Sequence, residues 1–181
     1  MLPQLYTFEI PSLPQTKIIF TGRMKFTQTR SIFLADDDDD DCLFFKEALD
    51  ELGVSVKLTT VHDGEQLMTL LSKLVDELPP LLFLDLNMPR KNGFQCLTEI
   101  KQDQRLKQLT VIIFSTSFQQ DVADLLYNNG AHYFILKPTT FEDLKKVIHR
   151  VIMIMEQTLS VTPSGQAGIF IQPARDNFVI I

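Results

Sequence analysis

Four apolar residues, Leu81-Leu82-Phe83-Leu84, run straight into Asp85, and Leu86-Asn87-Met88-Pro89-Arg90-Lys91-Asn92-Gly93 turns away from it. A buried strand that ends on an acid sets that acid at the carboxyl edge of a sheet, where open α/β folds place their chemistry. Asp85 is therefore the candidate nucleophile. Three further strand-like runs end on chemically useful residues. Ser31-Ile32-Phe33-Leu34-Ala35 leads into six aspartates, Asp36 to Asp41; Val111-Ile112-Ile113-Phe114 leads into Ser115-Thr116-Ser117; Phe134-Ile135-Leu136 leads into Lys137-Pro138. One edge can then carry an acid pair, a single acid, a hydroxyl and a lysine.

An acidic run is in most proteins a solvated loop. Here it follows a buried strand directly, which places Asp36 and Asp37 at the strand end and Asp39 to Asp41 at the start of the next helix, where negative charge suits the helix dipole. The run divides into a site half and a capping half. Carboxylates converging on one spot repel by about 4 kcal/mol per pair at ~4 Å and an effective dielectric near 20, and a bound cation removes that penalty. Carboxylates, a backbone carbonyl and retained waters are what Mg²⁺ selects, so Asp36, Asp37 and Asp85 are the expected protein carboxylates of a Mg²⁺ site. An aspartate can attack phosphorus to give an acyl phosphate. The charge that develops on the phosphoryl oxygens then needs donors, which Lys137 supplies as a compact cation and Ser115 as a hydroxyl.

The elements that must position these residues lie between 31 and 157, where strand and helix patterns alternate five times, the mark of a doubly wound parallel sheet covered on both faces. A first helix, about 40 to 52, carries Phe45, Ala48, Leu49 and Leu52 on one stripe and closes on Gly53. A second carries Leu67, Leu70, Leu71, Leu74 and Val75; a third Phe94, Leu97 and Ile100; a fourth Val122, Leu125 and Leu126; a fifth, about 141 to 157, Leu144, Val147, Ile148, Val151 and Ile152. Val54-Ser55-Val56-Lys57-Leu58 alternates apolar and polar residues, which suits an edge strand. Residues 1–30 lack sustained periodicity and read as an arm, within which Met24 offers an alternative translation start. Residues 158–181, broken by Pro163, Gly165, Gly168 and Pro173, read as a tail too short for an effector domain. Its β-prone pieces, Ile169-Phe170-Ile171 and Phe178-Val179-Ile180-Ile181, would add to a sheet edge, bind a partner, pack back on the protein's own surface or stay disordered.

A length of 181 residues suits one domain with tails. The net charge of −6 argues against nucleic-acid binding. No apolar run approaches the roughly 20 residues of a membrane span, and the N-terminus is a poor signal peptide. Cys42 and Cys96, with no metal-like spacing, read as buried free thiols of a reducing compartment. The expected location is the cytoplasm.

Four pieces in this order and spacing, Phe33-Leu34-Ala35-Asp36-Asp37, Leu84-Asp85-Leu86-Asn87-Met88-Pro89 with Asn92-Gly93, Phe114-Ser115-Thr116, and Leu136-Lys137-Pro138, resemble the receiver domains of two-component response regulators. The resemblance covers about 31 to 157. It implies a flavodoxin-like (βα)5 fold with a five-stranded parallel sheet in the order 2-1-3-4-5. It further implies that Asp36, Asp37, Asp85 and the backbone carbonyl of Asn87 hold Mg²⁺, and that Asp85 takes a phosphoryl group whose oxygens Ser115 and Lys137 bind. The donor would be a sensor histidine kinase or a histidine phosphotransfer protein. By the same resemblance the Lys137-Pro138 bond would be cis, Ser115 and Phe134 would form the switch, and Asn87 and Ser117 would set the lifetime of the phosphoryl group. Phe134 can supply the packing part of such a switch without a hydroxyl contact. The signal would leave through the fourth helix, fifth strand and fifth helix, to an unidentified downstream protein or a second copy of the chain. The protein would be a signalling phosphoacceptor, with self-catalysed phosphorylation and dephosphorylation, rather than an enzyme.

Two other readings use the same residues. One is a receiver fold that binds partners without phosphorylation. The other is a phosphatase of the haloacid dehalogenase type, which usually has a second acid two residues after its nucleophile; Asn87 occupies that place.

Overall fold

The computed structural model describes residues 30–74, 78–160 and 179–180. The N-terminal arm with Met24, Val75 and most of the tail lie outside the described residues. The elements are β1 (Arg30–Ala35), α1 (Asp39–Leu52), β2 (Val56–Val61), α2 (Gly64–Lys73), β3 (Leu81–Leu84), α3 (Gly93–Gln102), β4 (Thr110–Ser115), α4 (Gln120–Asn128), β5 (Tyr133–Leu136), α5 (Phe141–Ser160) and β6 (Val179–Ile180). The strands form one sheet in the order β2-β1-β3-β4-β5-β6, and every neighbouring pair is parallel. The expected order 2-1-3-4-5 is therefore present. A sixth strand from the tail is added beyond β5, with Phe134 opposite Val179 and Ile135 opposite Ile180.

Alternate residues of β1 to β5 feed two cores. Phe33, Leu82, Leu84, Val111, Ile113 and Phe134 pack under Leu67 and Leu71 of α2, Leu97 and Ile100 of α3 and Leu126 of α4. On the other face Ile32, Leu34, Phe83, Ile112 and Phe114 meet Phe45 and Leu49 of α1 and Leu144, Ile148 and Ile152 of α5. The rings of Phe45, Phe83 and Phe114 stand edge to face, with centroids 4.8, 5.9 and 5.9 Å apart. A fully buried Leu or Phe contributes roughly 1.5–3 kcal/mol, so this double core is what holds the strand ends in place.

β3 and β4 are buried along their whole length, whereas β2 is largely half-exposed, as its alternating sequence requires of an edge. Gly53 closes α1 in the left-handed conformation, φ 64°. On α4 the buried positions are Ala123 and Leu126, and Leu125 faces outward at 48% exposure. The apolar stripe expected through Leu125 is thus narrower, because a three-residue step from Ala123 already fills the sheet-facing side. α5 continues to Ser160, past the boundary expected at 157.

Candidate functional site

The sheet ladder extends one residue beyond three of the strands, and this is what fixes the site. The Asp36 N–H donates to Val61 O at 3.0 Å, the Asp85 N–H to Ala35 O at 2.9 Å and the Lys137 N–H to Ser115 O at 2.8 Å. Asp36, Asp85 and Lys137 are therefore each held by the backbone of the neighbouring strand at the carboxyl edge of the sheet. Gly93, at the start of α3, lies so close that a β-carbon there would sit 2.1 Å from Asp85 O. Its N–H donates to Leu86 O at 3.0 Å, closing the turn after the acid.

The Lys137 ammonium organises the cluster. It stands 2.7 Å from Asp36 Oδ2, 2.8 Å from Asp41 Oδ2 and 3.4 Å from Asp85 Oδ1, and 5.6 Å from the centre of the Phe114 ring. Asp36 and Ser115 are fully buried and Asp85 is 4% exposed. Asp85 Oδ2 accepts the Asn87 N–H at 2.6 Å, and Asp36 Oδ1 accepts the Asp38 N–H at 3.2 Å. Burial pushes the Asp36 carboxyl up to about 6, against the pull of Lys137. Burial also works against the charge of Lys137, but its contacts with Asp36 and Asp41 and the charge of Asp85 outweigh it and hold the lysine above its ordinary range.

Of the expected cation ligands, the structure brings Asp36 and Asp85 together around Lys137, while Asp37 is exposed beside them and Asn87 is exposed on the following turn. Among the described residues no three acids, histidines or cysteines are gathered as a closed metal cluster. The donor chemistry nonetheless suits a hard divalent cation. Two buried carboxylates share one edge, and the raised Asp36 is a carboxyl whose charge a cation would relieve. Ser115 Oγ is buried and has no hydrogen-bond partner among the described residues. A buried hydroxyl without a partner is costly, and a phosphoryl oxygen beside Asp85 would satisfy it.

Two features differ from expectation. Among the described residues there is no cis peptide bond, so Lys137-Pro138 is trans. Trans is the ordinary state of X-Pro by about 0.5–1 kcal/mol, and the long lysine side chain reaches both acids with it. The capping half of the acidic run also does more than cap. Asp38 is the N-cap of α1, its carboxylate accepting the N–H groups of Asp40 and Asp41, while the Asp41 side chain crosses to Lys137. The position of Asp41 three residues past that cap, on the first turn above the sheet edge, was the available signal. Phe134 is fully buried, its ring edge-on to Phe118 at 5.4 Å. Thr116 and Ser117 are exposed on the loop that leads to Phe118.

A family model described as the response regulator receiver domain matches residues 32–149. The chain is 28% identical over 124 residues to the probable methanogenesis regulatory protein FilR2 of Methanothrix harundinacea, covering 66% of this chain and 79% of that one. Its structure resembles that of the phosphorylated cyanobacterial phytochrome response regulator RcpA, with a TM-score of 0.63 and 31% identity, covering 68% of this chain and 91% of RcpA. It also resembles the Mn²⁺-bound response regulator Rcp1, with a TM-score of 0.62 and 26% identity, covering 80% and 99% of the two chains.

Proposed function

The chain belongs to the response regulator receiver domain family, and from that premise we propose that Asp85 accepts a phosphoryl group from a phosphohistidine donor in a Mg²⁺-dependent reaction. The observation that carries the reading is one ammonium, Lys137, gathered with two buried carboxylates, Asp36 and Asp85, beside the unpartnered hydroxyl of Ser115. An Asp85 carboxylate oxygen forms the new bond to phosphorus as the P–N bond to the donor imidazole breaks, and the departing nitrogen takes a proton from solvent. Asp36, Asp37, Asp85 and the Asn87 carbonyl would hold the cation, whose role when bound is to neutralise phosphoryl charge. Lys137 binds one phosphoryl oxygen, giving up part of its contact with Asp36 and Asp85, and Ser115 donates to another.

The donor is a sensor histidine kinase or a histidine phosphotransfer protein. Movement of Ser115 toward the phosphoryl group would be transmitted through Phe134 and Phe118 to a docking face made by α4, β5 and α5. Phe118 and Leu125, both partly exposed, supply that face with apolar contact. The protein acts in the cytoplasm; among the described residues no helix is long and apolar enough to cross a membrane.

The deciding experiment is incubation with Mg²⁺ and acetyl phosphate, followed by intact mass. One added phosphoryl group that needs both Mg²⁺ and Asp85, and is absent from Asp85→Asn, is the expected result. A wild-type protein unmodified by several donors would leave a binding module without phosphorylation. Followed over time in Asn87→Ala and Ser117→Ala, the same mass signal reads whether these exposed residues set the phosphoryl lifetime.

A further inference from the structure

We propose that Asp63 and Arg90, which lie outside the phosphoryl-transfer cluster, form a positioning pair that holds the β3–α3 loop in the shape needed for cation binding; this rests on the receiver reading above. Asp63 is fully buried at the N-cap of α2. Its Oδ1 accepts the Gln66 N–H at 2.8 Å, and its Oδ2 accepts from the Gln66 side-chain amide and pairs with the Arg90 guanidinium. Capping alone does not explain a buried charge, because Asn or Ser caps a helix as well as Asp does. A buried carboxylate needs a cationic partner, and Arg90 provides it from the loop after the phosphoacceptor.

The backbone at Arg90 points the same way. Its φ of 64° is the one positive value at a non-glycine residue among the described residues. A bulky side chain persists there only where the surroundings hold it. The neighbouring residues show that hold: a β-carbon on Gly64 would come within 2.2 Å of Lys91 O, so the loop lies directly on the first turn of α2. The Cys96 thiol at the start of α3 donates to Gly64 O at 3.7 Å. The other end of the loop is fixed by Asn87 N–H to Asp85 and by Gly93 N–H to Leu86 O. Asn87, whose carbonyl is the proposed cation ligand, thus sits between two anchors, one at the phosphoacceptor and one at Asp63. Since β1 separates β2 from β3 in the sheet, the pair also ties the strand ends on either side of Asp36.

Calorimetric Mn²⁺ binding and the Mg²⁺ dependence of acetyl phosphate phosphorylation, measured on wild type, Asp63→Asn, Arg90→Asn and Arg90→Lys, test this. Asp63→Asn keeps the cap and removes the charge; Arg90→Asn tolerates the left-handed backbone and removes the cation. Both should raise the Mn²⁺ Kd and the Mg²⁺ half-saturation about tenfold, the low end for residues that orient a ligand, while the rate at saturating Mg²⁺ is kept. Arg90→Lys should recover most of the affinity. A general loss of packing would lower the folded fraction without moving the half-saturation of the folded protein. Unchanged affinity in both charge-removing variants, Arg90→Lys no better than Arg90→Asn, or no measurable Mn²⁺ binding by wild type would overturn the proposal. If Asp63→Asn does not fold, the two Arg90 variants decide, since that side chain is half-exposed. Wild type that binds Mn²⁺ but takes no phosphoryl group would count against the receiver reading, and the Mn²⁺ comparison would still judge the pair.

Discussion

At the residue scale, the site is built from charges that the fold tolerates only because they neutralise one another. Asp36, raised to about 6 by burial, is the least comfortable of them. Between about pH 4 and pH 6 the folded protein binds more protons at this position than the unfolded chain does, so its contribution to stability falls as pH rises through that window. At pH 7 the ionised form works against folding by up to about 3 kcal/mol. Asp36→Asn should therefore raise stability in the absence of divalent cations, by about 1–3 kcal/mol, and should lose the stabilisation that Mg²⁺ gives wild type. Thermal melts with and without Mg²⁺ check both, and a lower apo melting temperature for the variant would show that the ion pair with Lys137 outweighs the burial. The strand-end residues Asp36, Asp85, Ser115 and Lys137 were legible in the sequence because an apolar run that stops on a polar residue marks a sheet edge. Asp41 was read only as a cap, since the direction of a first-turn side chain depends on how α1 sits over the sheet.

At the element scale, helices and strands follow from periodicity, and the details that periodicity misses come from their ends. Lys101, near the end of α3, shows this. Its ammonium donates to Leu109 O at 2.7 Å and to Lys107 O at 3.2 Å, closing the turn that leads into β4. Burial lowers it to about 8. From about pH 8 to pH 10 the unfolded chain then binds more protons here than the folded one, so this group's contribution to stability rises with pH. We expect Lys101→Met to flatten that rise by about 1–2 kcal/mol, the carbonyl contacts reducing the full shift. Denaturant titrations of both proteins at pH 7.5 and pH 10 would read the difference, and equal pH slopes would contradict it. No sequence pattern announces such a lysine, because its burial comes from the following loop folding back over it.

At the scale of the whole molecule, the addition of β6 changes what the sheet offers to partners. The core sheet would end at β5, beside α4 and α5, and the tail strand pairs along that edge instead. A partner that docks on this face meets β6 as well. Removing residues 179–181 should speed hydrogen exchange of the β5 amides that β6 covers by about five- to tenfold, the equivalent of roughly 1 kcal/mol per hydrogen bond. Unchanged protection would mean that the pairing adds nothing to the edge.

The sequence by itself determined the fold class, the strand order by resemblance, the edge character of β2 and the residues at the strand ends, because each rests on local hydrophobic period and on where that period stops. The tail was legible only as β-prone; its place beside β5 required the finished sheet. Tertiary structure alone decided that Lys137 draws Asp41 into the cluster with a trans proline bond, that Leu125 faces outward, and that Asp63 meets Arg90 across the loop after Asp85. These are contacts between elements distant in the chain. Their geometry is set by how helices settle on the sheet, and no local pattern carries that information.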